Sequence, residues 1–198
     1  YTGAGRNLPD QTTGLFDDVN KMLAYDGLIL SCEGNNDNGG SYSPSYAAHR
    51  QKMVDFANAG GRVFASHWQH SWVHKSSSAA WQSAVTFSHN DDFSEPMDAN
   101  IDMSFTKGDA MARWLHFARG NTGTLGVISI DDAQHTVTGV SSAARSWINI
   151  PIGSDYEGNT GDTGASTVNS VQYLTMNTPV GVPDAQQCGR IVVSDLHL

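Results

Sequence analysis

Lysine and arginine are scarce in this 198-residue chain. There are 11 of them against 20 Asp and Glu, a formal net charge of −9, and no run of basic residues offsets it. A surface of that sign repels a phosphate backbone, so nucleic acid is not an expected partner. Long apolar runs are also absent. Nothing approaches the ~20 residues needed to span a bilayer as a helix, so no membrane span is expected. No signal-peptide pattern is visible, and the chain opens at Tyr1 rather than Met, which reads as a processed or trimmed start. Cysteine is limited to Cys32 and Cys188. One bridge is arithmetically possible, but Cys32 ends one predicted strand and Cys188 precedes another. If those strands are parallel, about seven residues of strand at ~3.3 Å each separate the thiols by roughly 20 Å, far beyond disulfide reach.

Charged residues make up only 16% of the chain, hydrophobic residues 39%, and Gly numbers 20. Polar uncharged types fill the difference, which describes a folded, loop-rich protein and not a disordered one. Few Lys and many Ser, Thr, Asn and Gly suit an exported protein, so a secreted or cell-surface location is expected. The length suits one domain over residues 1–198. No repeat and no dividing linker is seen.

Residues 14–25 place Leu15, Val19, Met22 and Leu23 at helical spacing. DGLILSC (26–32) then reads as a short buried strand running into a Gly-rich loop. Ser43-Pro44 resembles an N-cap with proline in the first turn, opening a helix to about Ala59 that Gly60-Gly61 stop. RVFAS (62–66) is a second buried strand, and strand–helix–strand over this length is a right-handed βαβ unit. Residues 87–105 look irregular. Thr106 caps a helix through about Arg119. Segments 124–130, 135–140, 145–150 and 168–176 read as strands, 153–167 as a loop, and GRIVVSDLHL as the closing strand.

Ligands of open parallel α/β sheets bind where strands end. Three predicted strands end in polar residues: Cys32-Glu33, Ser66-His67 and Asp195-Leu196-His197. If the three run parallel, one sheet edge gathers hydroxyl, thiol, imidazole and carboxylate groups, the parts that nucleophilic hydrolysis needs. On a strand, Asp195 and His197 share a face. His67, His70 and His74 could line one helix face and hold zinc or copper. A half-exposed aromatic-polar face is the simpler account of that run, so no cofactor is expected. Trp68, Trp72 and Trp81, with Tyr42 and Tyr46, line a groove or belong to the core.

GGRVFASHWQHSW resembles the strand-to-elbow segment of the class I glutamine amidotransferase-like superfamily. YDGLILSCEG is similar to the preceding strand of such domains, and CGRIVVSDLHL to their closing strand. The resemblance spans most of residues 20–198 and is closest to non-amidotransferase branches such as trehalose-utilisation-like and exported bacterial domains. It implies a three-layer α/β sandwich with a mostly parallel central sheet and antiparallel additions from residues 124–176. It also implies that the chain starts inside the family domain, because the strand that precedes residue 14 in these folds is not seen. The elbow holds Ser66 and His67 where the family has cysteine, and Asp195-x-His197 stands where it has His-x-Glu.

These departures redirect the expected chemistry from glutamine hydrolysis to the cleavage of carboxylic ester or related acyl bonds. Ser66 is the expected nucleophile, with Cys32 the alternative. His197 or His67 is the base, Asp195 or Glu33 orients it, and Trp68, Trp72 and Cys32 contact substrate. The expected partner is a small-molecule or polymeric ester-like substrate. The alternatives are a non-catalytic carbohydrate-binding module and a metal-binding module of an exported protein.

Overall fold

The computed structural model describes residues 11–32, 46–87, 91–93, 96–118, 123–131, 133–151, 153, 155–158, 163–165 and 169–196. The elements that position the site come first. Two short helical turns, α1 (Gln11–Gly14) and α2 (Val19–Met22), lead into β1 (Gly27–Leu30). Helix α3 (Arg50–Asn58) leads into β2 (Arg62–Ser66), and a 3-10 turn (His67–His70) continues as α4 (Ser71–His74) and α5 (Ala79–Gln82). There follow β3 (Val85–Phe87), β4 (Asp91–Phe93), β5 (Met97–Ile101), α6 (Thr106–Phe117), β6 (Val127–Ile130), β7 (Val137–Val140) and β8 (Ala144–Ile150). The chain closes with β9 (Asp155–Gly158), β10 (Thr163–Ala165), β11 (Ser170–Thr178), a 3-10 turn (Asp184–Gln186) and β12 (Gly189–Ser194).

Seven strands form the central sheet in the order β1-β2-β12-β11-β8-β5-β6. The three apolar runs of the sequence are its parallel part, β1 on β2 and β2 on β12. The remaining neighbours pair antiparallel. Following the reversals, β1, β2, β12, β8 and β6 all point one way, and only β11 and β5 oppose them. The expected α/β architecture with antiparallel additions is therefore present. The additions reach further than expected, since β5 also enters the sheet.

Period-two burial sorts the side chains onto two faces. Leu28, Leu30, Val63, Ile191 and Val193 point to one face, where Met53, Val54, Phe56 and Ala57 of α3 pack on them. On the other face, Ala112 of α6 packs with Ala99, Ile101, Ile128 and Ile148, which β5, β6 and β8 supply. Over β1 and β2 that second face carries no helix among the described residues, and Ile29 is 80% exposed. The expected third layer thus covers only the antiparallel half.

Several local expectations need correction. The single helix over 14–25 is two turns. Asp18 adopts an extended backbone between them, and its carboxylate accepts the Asn20 N–H to cap the second. The irregular stretch 87–105 contains β5, whose outward Asp98 and Asn100 mask the inward Ala99 and Ile101. The loop at 153–167 contains β9 and β10, which join β4 in a separate three-stranded sheet. Thr106 is the first residue of α6; the cap position is Phe105, without a side-chain bond. Gly60 does stop α3, at a φ of +111° that favours glycine. Ser43-Pro44 lies outside the described residues. No described helix is long and apolar enough to cross a membrane. Cys32 and Cys188 are free thiols, as the strand geometry requires.

Candidate functional site

Strand register assembles the site. Leu30 lies opposite Ala65 in the parallel β1–β2 pair, so the same register carried two residues past the strand ends sets Cys32 beside His67. Ser194 lies opposite Ser66 in β12–β2, so Asp195 follows one rung on, level with His67. The three strand ends expected to converge do converge.

Cys32 and His67 are in direct contact, with Sγ 3.3 Å from Nδ1. The thiol is partly exposed, whereas the imidazole is 3% exposed. His67 stands at the elbow where β2 breaks into the 3-10 turn, with a φ of +43°. An L-residue rarely adopts this left-handed conformation, and holding it there costs about 1–3 kcal/mol. The turn thereby aims the His67 ring back across the end of β1. The ring of Trp68 lies 4.7 Å from that of His67.

Ser66 sits one residue before the elbow and is wholly buried. Its hydroxyl donates to the Leu196 carbonyl at 3.0 Å, not to an imidazole. Its geometry is that of a clasp between the ends of β2 and β12, with no imidazole as its hydrogen-bond partner. Trp72 is misplaced by the sequence reading. It is 3% exposed, packs edge-on against Phe16 and Tyr46 at 5.0 and 5.1 Å, and donates its indole N–H to Gln69. Trp81 is buried in the same cluster. These aromatics are core, so of the expected substrate-facing residues Trp68 and Cys32 remain at the site. Glu33, Tyr42 and His197 lie outside the described residues.

Asp195 is buried to 1% exposure. One carboxylate oxygen accepts the Thr136 N–H at 3.2 Å, and the other has no hydrogen-bond partner among the described residues. Burial pushes its pKa up to about 6, with the nearby His70 and the Thr136 N–H opposing the rise. His70 in turn donates from Nδ1 to the His67 carbonyl at 2.8 Å, since a carbonyl can only accept. His70 stacks on Phe87 at 5.2 Å and on His74 at 6.1 Å. His70 therefore steadies the elbow, near enough to Asp195 to oppose the rise of its pKa. Among the described residues no three His, Cys, Asp or Glu side chains are placed to hold a metal ion.

A second set of buried polar residues, absent from the sequence reading, backs this edge. Ser170 and Gln172 open β11, and both donate to the Gln134 carbonyl. The Gln172 carbonyl accepts the Asp195 N–H at 2.8 Å. Gln172 carried a usable signal, a long amide between Val171 and the Tyr173-Leu174 pair of a predicted strand. Thr136 carried none.

No family model matches the sequence, and no curated protein matches it. In a search of solved structures, the chain is similar to a protein from Bacteroides uniformis ATCC 8492 described as ThuA-like, with a TM-score of 0.52 and 8% identity. The alignment covers 94% of this chain and 64% of that one. At that identity the likeness is one of fold, and it agrees with the superfamily resemblance read from the three strand segments.

Proposed function

We propose that this domain hydrolyses carboxylic ester or related acyl bonds with Cys32 as nucleophile and His67 as general base. The contact of 3.3 Å between Cys32 Sγ and His67 Nδ1 carries the reading. A thiol needs a proton acceptor within hydrogen-bond reach to become a nucleophile, and His67 supplies one in the tautomer whose Nδ1 is unprotonated. His67 takes the thiol proton as sulfur attacks the acyl carbon. It returns that proton to the departing alkoxide, which leaves as the alcohol. Water then attacks the thioester, giving its proton to His67, and collapse of this second intermediate expels the Cys32 thiolate, which recovers the proton. Backbone N–H groups at the elbow would receive the oxyanion in both steps.

The strained backbone of His67 supports the reading, because left-handed non-glycine residues persist where the fold holds a side chain in one direction. The superfamily resemblance supports only the location of the site at these strand ends: the family's nucleophile stands at the elbow that Ser66 and His67 occupy here, and Cys32 reaches it from the end of β1. An extracellular setting belongs to the same proposal. It rests on composition.

Turnover of p-nitrophenyl acetate by the wild type, Cys32→Ala and Ser66→Ala tests the assignment. The expected result is an acyl-enzyme burst in the wild type that Cys32→Ala abolishes and Ser66→Ala retains. Undiminished turnover in Cys32→Ala would sink the proposal, and loss confined to Ser66→Ala would return the nucleophile to the serine.

A further inference from the structure

A second site lies at the opposite end of the sheet. Arg190 is the second residue of β12 and Asp195 follows its last, and five residues of strand at ~3.3 Å each separate the two by roughly 17 Å. Around Arg190 opens a cavity of about 330 Å³ on the face that carries α6, a size that suits a small ligand. Its lining includes Lys107, Arg145 and Arg190, and Asp184 is the one acidic residue among the lining. In a chain of net charge −9 with 11 basic residues, three of them around one concavity is a local reversal of sign. The sequence hides it, because the three come from α6, β8 and β12.

The three cations are poorly compensated. Arg145 lies 3.9 Å from Asp102, a loose pair on an exposed side chain, and its guanidinium rests over the Phe105 ring at 5.0 Å. Arg190 spends its Nε on Asn177 at 3.0 Å, which fixes the plane of a guanidinium whose two amino groups have no acceptor among the described residues. Lys107 makes no ion pair among the described residues. The wall is rigid and aromatic. Trp147 meets Phe105 edge-on at 4.9 Å, and its indole N–H is held by Thr175 at 2.9 Å.

We infer that this cavity binds a small ring-shaped polyol bearing one phosphate or carboxylate group. The guanidinium and ammonium groups take the anion, with Arg190 preset for a fork-like contact. Trp147 contributes aromatic surface to the wall against which a sugar ring can pack, and Asn177, Gln187 and Asp184 offer partners to hydroxyl groups, which accounts for a carboxylate in a cationic cavity. The site is independent of the strand-end chemistry and stands whether or not Cys32 is a nucleophile.

The test is an NMR titration of the Trp147 indole N–H signal, assigned through Trp147→Phe, with glucose 6-phosphate, glucuronate and glucose. A saturable shift with at least one of the two anionic sugars is expected. The one that binds more tightly identifies the group as phosphate or carboxylate. Glucose should bind about tenfold more weakly or worse, and added salt should weaken the anionic sugar. Arg145→Gln, a change on an exposed side chain, and Arg190→Gln should each weaken binding about tenfold, with the far-UV circular dichroism of each variant unchanged. The proposal is overturned if neither anionic sugar gives a saturable shift up to about 10 mM. Equal binding of glucose, or unaltered binding in Arg145→Gln, overturns it as well.

Discussion

The Ser66 hydroxyl donates to the Leu196 carbonyl at 3.0 Å, across 130 residues of chain. The bond joins the ends of two parallel strands just where one turns into the elbow and the other leads past Asp195. It explains why a serine is needed at a wholly buried position. Removing the donor leaves a buried carbonyl with one partner fewer, which costs about 1–3 kcal/mol. Ser66→Ala should therefore lower the unfolding free energy read from urea denaturation by that amount, while leaving alkylation of Cys32 by iodoacetamide unchanged. A loss of alkylation without a loss of stability would assign the serine a chemical role instead.

His67→Asn separates backbone from imidazole. Asparagine tolerates the left-handed conformation better than most residues, so the elbow should survive at a φ of +43°. The proton acceptor opposite Cys32 Sγ is lost. The expected outcome is a thermal midpoint within a few degrees of the wild type and alkylation at pH 7 slowed about tenfold or more, in line with the loss of a positioned base. Equal alkylation rates would mean that the contact does not activate the thiol.

These two residues also mark how far the sequence could be read. The parallel strands were legible because each is an apolar run bounded by Gly or polar residues; the βαβ unit gave the first two a common direction, whereas that of the closing strand was a condition that its pairing with β2 meets. Ser66, His67, Cys32 and Asp195 were found because they end those runs. Their roles were not legible. Which of Ser66 and Cys32 meets an imidazole depends on the register Leu30 to Ala65 and on the backbone turn at His67, and neither leaves a mark in composition or spacing. Trp72 misled because aromatics near a strand end read alike whether they face a groove or Phe16 and Tyr46. β5 was missed because Asp98 and Asn100 on its outer side alternate with an inner side of only three apolar residues, one of them the small Ala99.

Asp195 should make stability depend on pH in an unusual direction. Burial raises its pKa from 3.8 to about 6, so the folded protein keeps this proton while the unfolded chain releases it. The raised value favours folding fully below the unfolded pKa, and that contribution is lost as pH climbs from about 4 to about 6. Two pKa units correspond to about 3 kcal/mol. Asp195→Asn keeps the size and removes the titration. Urea unfolding of both proteins should show the wild type losing about 2–3 kcal/mol relative to Asp195→Asn between pH 4 and pH 7. A difference that does not change with pH would show that folding leaves the pKa of this carboxyl at its unfolded value.

Two glycines in strands should respond in opposite ways to a single methyl group. At Gly189 a Cβ would overlap the Ala57 carbonyl oxygen and the Thr178 hydroxyl. Those two atoms already share a hydrogen bond of 2.7 Å that ties α3 to β11. Two backbone segments meet there, so the clash cannot be relieved by rotating a side chain. Gly189→Ala must push β12 away from α3 or break the Thr178–Ala57 bond, and either disturbs the packing of Ile191 and Val193 on Phe56. A cost of about 2–4 kcal/mol follows from overpacking combined with a lost buried hydrogen bond. At Gly139 in β7 a Cβ would meet only Thr86, at the ordinary distances of 3.8 and 3.9 Å. Gly139→Ala there restricts the unfolded chain without straining the fold, so its effect should lie between neutral and about 1 kcal/mol stabilising. Thermal denaturation of the pair checks the claim. Equal midpoints would mean that β12 and α3 can separate freely, and with them the strand end that carries Asp195.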